Sequence, residues 1–392
     1  MTIIKKSLLA SAVSALALSS AVSVQAEGFD SVIKDSTLDF NFRLRVETVD
    51  KDNALDDALA TTLKSRATFK SGEIAGFSVL VEGDNVTHIV DDFNSTQNGK
   101  SNYNVVPDPE TTQFNQAYIQ YKITDTTVKL GNQRILLDNQ RHVGGVAWRQ
   151  DEVTFDAISV SSKAIENMTV FVAIANNRNN ILNINTEEDI TFLNAKYAVS
   201  KDLAVTGFYY SISDANGIDG LDFDTFGARA TGMAGKISFE AELATQNKTT
   251  AGGGDFDSLY YHVNAGTKLG SVKATLGYEA FGSDDGQAAF ATPLGTNHKF
   301  LGWSDVYLTG AGVNGIQDIY ASAVTKISGI KLVGQFHKFD AVEGNADLGT
   351  ELGFVAAKKF DNLGVALKVA YLSDSDMEDD TTKIWLTGTA KF

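Results

Sequence analysis

Arg43 and Arg45 stand two residues apart, and Lys64 and Arg66 repeat that spacing further along the chain. In an extended segment a two-residue spacing puts both side chains on one face. Four cations on one face of two neighbouring strands would form a positive stripe. If that face lines a narrow, water-filled channel, the stripe concentrates anions. Arg134, Arg141 and Arg149 would extend it toward an outer mouth. Glu47, Glu82 and Asp84 fall on the same polar faces. The cations could therefore instead brace these opposing acids in a ladder of ion pairs along a wall. The register of 126–136 stays open, because Val128 and Leu130 share parity with Arg134, and a bulge would resolve it.

Other chemistry is thinly represented. The histidines are His88, His142, His262, His298 and His337, and none sits in a G-x-S-x-G or H-E-x-x-H motif. A barrel hydrolase with a rim Ser-His or Asp-His pair is the alternative from a different class. No glycine-rich phosphate loop occurs, and nothing calls for a cofactor or a resident metal. Carboxylates cluster at Asp50, Asp52, Asp56 and Asp57, at Glu187, Glu188 and Asp189, and at Asp374, Asp376, Glu378, Asp379 and Asp380. They could bridge divalent cations to lipopolysaccharide phosphates, although solvated loops are the weightier explanation. A net charge of −16 excludes general affinity for nucleic acid.

The elements that must position these groups are legible as alternation. Leu38, Phe40, Phe42, Leu44 and Val46 interleave with Asp39, Asn41, Arg43, Arg45 and Glu47. That period of two marks a strand with one apolar face. Similar segments recur at 61–70, 76–86, 113–123, 126–136, 152–161, 168–176, 189–199, 202–212, 222–232, 236–246, 258–269, 271–281, 317–327, 330–340, 350–360, 363–373 and 382–392. With 37–48 they make about 18 strands of a length that crosses a bilayer when tilted. Short connections alternate with long ones at 87–112, 137–151, 177–188, 247–257 and 282–316, as short periplasmic turns alternate with long external loops. Pro107, Pro109 and Pro293 all fall in long connections, consistent with a sheet that has no edge to hold them. Phe69, Tyr121, Tyr197 and Phe392 close even-numbered strands on the apolar face, where an interfacial girdle belongs.

Residues 1–26 read as a secretory signal peptide: Lys5 and Lys6, an apolar run from Leu8 to Val24, then Val24-Gln25-Ala26. Residues 27–392 form one domain with no cysteine. The expectation is an all-β chain: a closed antiparallel transmembrane β-barrel in a bacterial outer membrane.

Segment 129–158 resembles the strand–loop–strand region of the alginate-export family of outer-membrane barrels. The resemblance rests on Leu130-Gly131, Gln133-Arg134, Arg141, Val143-Gly144, Trp148-Arg149 and Phe155-Asp156. Thr292-Pro293-Leu294, His298-Lys299-Phe300 and Gly302-Trp303-Ser304-Asp305 match as well, as does Arg43-Leu44-Arg45-Val46-Glu47. It implies 18 strands and a monomer, with a trimer as the alternative. The expected activity is passive passage of small hydrophilic solutes, anionic ones such as acidic sugars or oligosaccharides. A non-selective diffusion porin is the runner-up. A barrel this wide needs narrowing. Loop 282–316, with Phe290, Phe300, Trp303 and Tyr307, is the first candidate, and loop 87–112 with Tyr103 is the second. Terminal Phe392 reads as the assembly signal, which makes barrel-assembly machinery, membrane lipid and lipopolysaccharide the expected partners.

Overall fold

A computed structural model describes residues 32–214, 222–249, 253–308 and 310–392. The expected signal segment lies outside them. Eighteen long strands run in chain order: β1 (Thr37–Lys51), β2 (Ala58–Lys70), β3 (Phe77–Asp92), β4 (Thr111–Ile123), β5 (Thr126–Gln133), β6 (Thr154–Ser162), β7 (Met168–Asn179), β8 (Glu188–Ser200) and β9 (Leu203–Asp214). They continue with β10 (Asp222–Ala234), β11 (Ile237–Thr249), β12 (Asp255–Leu269), β13 (Val272–Phe281), β14 (Ile316–Ile327), β15 (Ile330–Ala341), β16 (Asp347–Phe360), β17 (Leu363–Ser375) and β18 (Thr381–Lys391). Each pairs antiparallel with the next, and β18 returns to β1 from Asn41↔Lys391 to Lys51↔Thr381. The sheet is closed, so no row of backbone donors and acceptors faces lipid unpaired.

The alternation decides which face is which. Phe40, Phe42 and Leu44 are exposed on the outer wall, whereas Arg45 is buried inside and Arg43 shares its parity. Register carries the choice from strand to strand: Arg43 faces Lys64, and Arg66 faces Asp84. Two-residue turns such as Ser328-Gly329, where both residues have positive φ, match the twist of the strands they join. The polar-inside rule fails in the external half. Phe155, Phe192, Tyr260, Phe281 and Phe339 point inward and are fully covered, because loops fill the lumen there and supply an apolar partner. Strands such as β1, β3 and β16 also run past the expected ends, since above the membrane neither face must be apolar.

Phe392 occupies the closing seam. Its N–H donates to the Phe40 carbonyl and its carbonyl accepts from the Phe40 N–H, each at 2.9 Å, and its ring meets Phe42 edge-on at 6.4 Å. Deleting Phe392 removes both hydrogen bonds and the ring contact. The yield of heat-modifiable folded barrel should fall several-fold while export across the inner membrane is unchanged. An unaltered folded fraction on semi-native gels would show the residue to be dispensable.

Candidate functional site: a two-loop plug in the lumen

Two external loops enter the barrel. Loop A is 134–153, between β5 and β6. Loop B is 282–315, between β13 and β14, and it contains a short 3-10 turn, Asn297–Lys299. The expectation placed loop B inside, and it is there: Phe290, Leu301, Trp303 and Tyr307 are buried. Loop A was expected only to carry arginines toward the mouth, yet Arg141, Arg149, Gln150, Asp151 and Glu152 are all buried. Loop 93–110 leans on loop A through Asp108, and its Gln97 donates to the Leu182 carbonyl at 2.7 Å. The open register of 126–136 resolves without a bulge. β5 ends at Gln133, and the chain turns inward at Arg134.

The basic side chains divide into two sets. In the first, each cation touches a carboxylate. Arg66 makes a two-pronged contact with Asp84, Nε–Oδ1 at 2.7 Å and Nη2–Oδ2 at 2.5 Å, and also pairs with Glu152 and Glu82. Lys64 reaches Asp84 at 3.1 Å. Arg134 holds Glu152 (Nε–Oε2, 2.6 Å) and Glu82 (3.1 Å). Arg149 clasps Glu47 at 2.8 and 3.1 Å and Asp108 at 2.7 and 3.1 Å. Arg141 spans the other wall, binding Glu279 at 2.7 and 3.1 Å beside the rings of Phe281 and Phe300. Buried charges need such partners, because an unpaired one costs several kcal/mol.

In the second set the partners are neutral. Arg43 donates to Gln150 Oε1 (2.8 Å), the Ala147 carbonyl (2.8 Å) and the Arg149 carbonyl. Arg45 donates to the Trp148 carbonyl (2.7 Å) and Thr387, and its guanidinium lies 4.1 Å above the Trp148 ring. These two residues hold loop A by its backbone.

The loops meet each other through backbone groups. Gly144 N–H donates to the Leu294 carbonyl at 2.7 Å, and Thr296 N–H to the Gln140 carbonyl at 2.9 Å. Loop B is pinned to the wall by Glu351, which accepts from the Trp303 and Ser304 N–H groups. The Trp303 ring lies against Gly353, where a Cβ would come within 2.7 Å of it. Lys368, on β17, gathers the seam. Its ammonium sits 3.9, 4.2 and 5.7 Å from the ring centres of Trp148, Trp303 and Trp385, and donates to His298 Nε2 at 2.7 Å. A lysine can only donate, so His298 Nε2 accepts and Nδ1 carries the proton toward Asp305. Burial pushes the His298 imidazole down to about 4. The neutral ring stacks on Trp148 at 4.1 Å.

Several of these residues escaped sequence reading: Lys368, Lys383, Glu279, Glu351, Asp108 and Glu152. The strand residues among them lie on the polar side of the alternation, which was the available signal. Of the residues expected in a narrowing loop, Phe300 is half-buried beside Arg141 and Trp303 lies against the Lys368 ammonium.

Two outcomes follow from the seam. A Cβ at Gly144 would meet Thr296 Oγ1 at 2.1 Å, so Gly144→Val should wedge the loops apart. Single-channel conductance should rise while the barrel keeps its heat-modifiable mobility; unchanged conductance would count against the plug. His298, with its folded pKa depressed from about 6.5, stabilises the seam fully above that value. The contribution is lost as pH falls toward about 4. Protease susceptibility of loop B should rise over that window, and less so in His298→Gln.

A family model described as alginate export matches residues 36–359. No curated protein sequence matches the chain. Among solved structures, Pseudomonas aeruginosa OccK9 (OpdG) superposes with a TM-score of 0.72 at 14% identity, over 92% of this chain and 99% of that one. Pseudomonas aeruginosa OpdK with vanillate gives 0.72 at 11% identity, and Acinetobacter baumannii OccAB2 gives 0.68 at 16%, with the same coverage. At these identities the likeness is one of fold. The family match spans most of the chain: this protein belongs to the alginate-export family, and its barrel is an outer-membrane channel.

Proposed function

We propose that the channel passes small anionic solutes, acidic sugars and short acidic oligosaccharides among them, by passive diffusion with no catalytic step. One observation carries the reading. Arg43 and Arg45 on β1, Lys368 on β17 and Lys383 on β18 all face the lumen from three neighbouring strands, and among the described residues none of them forms an ion pair. Lys383 is 9% exposed, and its ammonium makes no hydrogen bond to the described residues. It lines a cavity of about 510 Å³ in the outer mouth, together with Arg149, Arg178, Trp148, Pro107 and Pro293. Among the described residues, the one carboxylate lining that cavity, Asp305, is engaged by His298.

The overall acidity of the chain does not oppose this. Asp374 at the external end of β17 and Asp376 and Asp379 in the loop after it are acids that salt screens beyond about 8 Å. The lumen cations act where protein surrounds the solute and screening is weaker. The paired set, Lys64, Arg66, Arg134, Arg141 and Arg149, adds little net field and serves to hold loop A. The family's association with alginate export and the vanillate complex of one neighbour both concern acids, which agrees with the reading.

Lys383→Gln tests it with little structural disturbance, since the ammonium has no hydrogen bond or ion pair to the described residues to lose. In a salt gradient the reversal potential should move toward cations, and block by galacturonate should weaken several-fold. Neutralising Asp374, Asp376 and Asp379 together should change selectivity far less. A parent channel that prefers cations would replace this reading with a general diffusion porin.

A further inference from the structure

A second recess lies below loop B on a different sector of the wall. It has a volume of about 230 Å³ and is roofed by Lys299 and Phe300. Its two carboxylates are bound by wall and loop residues, and Lys299 donates to the Asn139 carbonyl at 2.9 Å. Glu240 is bound by Arg229 at 2.9 and 3.0 Å and by Asn139 at 2.8 Å, and Glu279 is bound by Arg141 and Tyr260.

What remains unsatisfied is neutral. The Gln335 amide makes no hydrogen bond to the described residues, and its Oε1 is buried. Ser322 and Thr275 also have unused hydroxyls. These three residues lie on one rung, because Thr275 pairs with Ser322 and Ser322 with Gln335. His337, 2% exposed, points Nδ1 at Asp318 (2.8 Å), and its buried Nε2 has no partner. With the proton on Nδ1, that Nε2 is an acceptor. Tyr320, whose hydroxyl meets His262 at 2.8 Å, stacks on His337 and offers an aromatic wall.

We propose that this recess binds one neutral polyhydroxylated ring, such as a cyclitol or an uncharged sugar unit. Alternating donors and acceptors at rung spacing suit vicinal hydroxyls, and an aromatic face suits the apolar C–H side of such a ring. Free ammonium groups would select an anion, and free carboxylates a cation. Here both carboxylates are bound by arginines, and the Lys299 ammonium is held by the Asn139 carbonyl at 2.9 Å, lies over the Phe300 ring and has its charge opposed by Glu240. The inference does not depend on the anionic reading of the mouth, since the two cavities have no lining residue in common.

Saturation-transfer NMR on the folded barrel in deuterated detergent, with myo-inositol as the probe, tests it whether or not the plug is open. Inositol should give a saturable response that glycine betaine does not. Gln335→Leu combined with Ser322→Ala removes two hydrogen-bonding groups and should weaken binding roughly tenfold or more. Lys383→Gln should leave inositol binding unchanged while it alters galacturonate block. Gln335→Leu alone, with folding checked by heat-modifiable mobility, serves if the double variant fails to fold. No inositol response in the parent, or the same affinity in the folded variant, overturns the proposal. Water alone then fills the recess. Loss of inositol binding in Lys383→Gln would also overturn the assignment to this recess.

Discussion

Hydrocarbon supplies no hydrogen-bonding partner to an open strand edge, so everything else in this molecule depends on β18 finding β1. That seam runs from Asn41↔Lys391 to Lys51↔Thr381 and is locked at its periplasmic end by the reciprocal bonds of Phe40 and Phe392. Closure fixes register, register fixes parity, and parity decides whether a side chain meets lipid or lumen. Arg43 and Arg45 come to lie beside Lys368 and Lys383 only because the first and last strands are neighbours. The positive sector is thus a product of ring closure and of no single stretch of sequence.

The plug follows a second constraint. A loop drawn into the barrel brings backbone groups and charges that must be satisfied there. Loop A meets this demand with carboxylates from β1 and β3 and with the side chains of Arg43 and Arg45, which bind its carbonyls. Loop B uses Glu351 as an acceptor for two of its own N–H groups. Replacing a paired residue would leave its partner buried and charged, which is more damaging than never having had the pair. The network therefore resists piecemeal change, and solute recognition falls to the residues left outside it.

The barrel was legible in the sequence because a two-residue period is a direct image of the strand, and the membrane enforces it on one face. The membrane enforces nothing above its surface, which is why the external ends of β1, β3 and β16 ran longer than expected. Inward Phe155 and Phe192 broke the pattern because they pack on loops. Nothing in a linear pattern says that loop A folds inward, since that depends on acids from distant strands converging on Arg134 and Arg149. Arg43 and Arg45 were found as lumen cations; that they differ from Arg66 in having only neutral partners is a matter of three-dimensional contact. Lys383 and Lys368 stood in plain alternation between apolar neighbours, but a lone lysine on a polar face looks like any other until its surroundings are known.

All three tryptophans of the chain, Trp148, Trp303 and Trp385, surround one ammonium group, and they come from loop A, loop B and the barrel wall. The intrinsic ultraviolet emission of the protein therefore reports on a single point where the two loops meet the wall. A shift in either loop changes the distance between at least one indole and the nearby cation, and the emission changes with it. The rest of the wall, built without tryptophan, is silent in that channel of light. The purified molecule carries its own label for plug position, readable without any added dye.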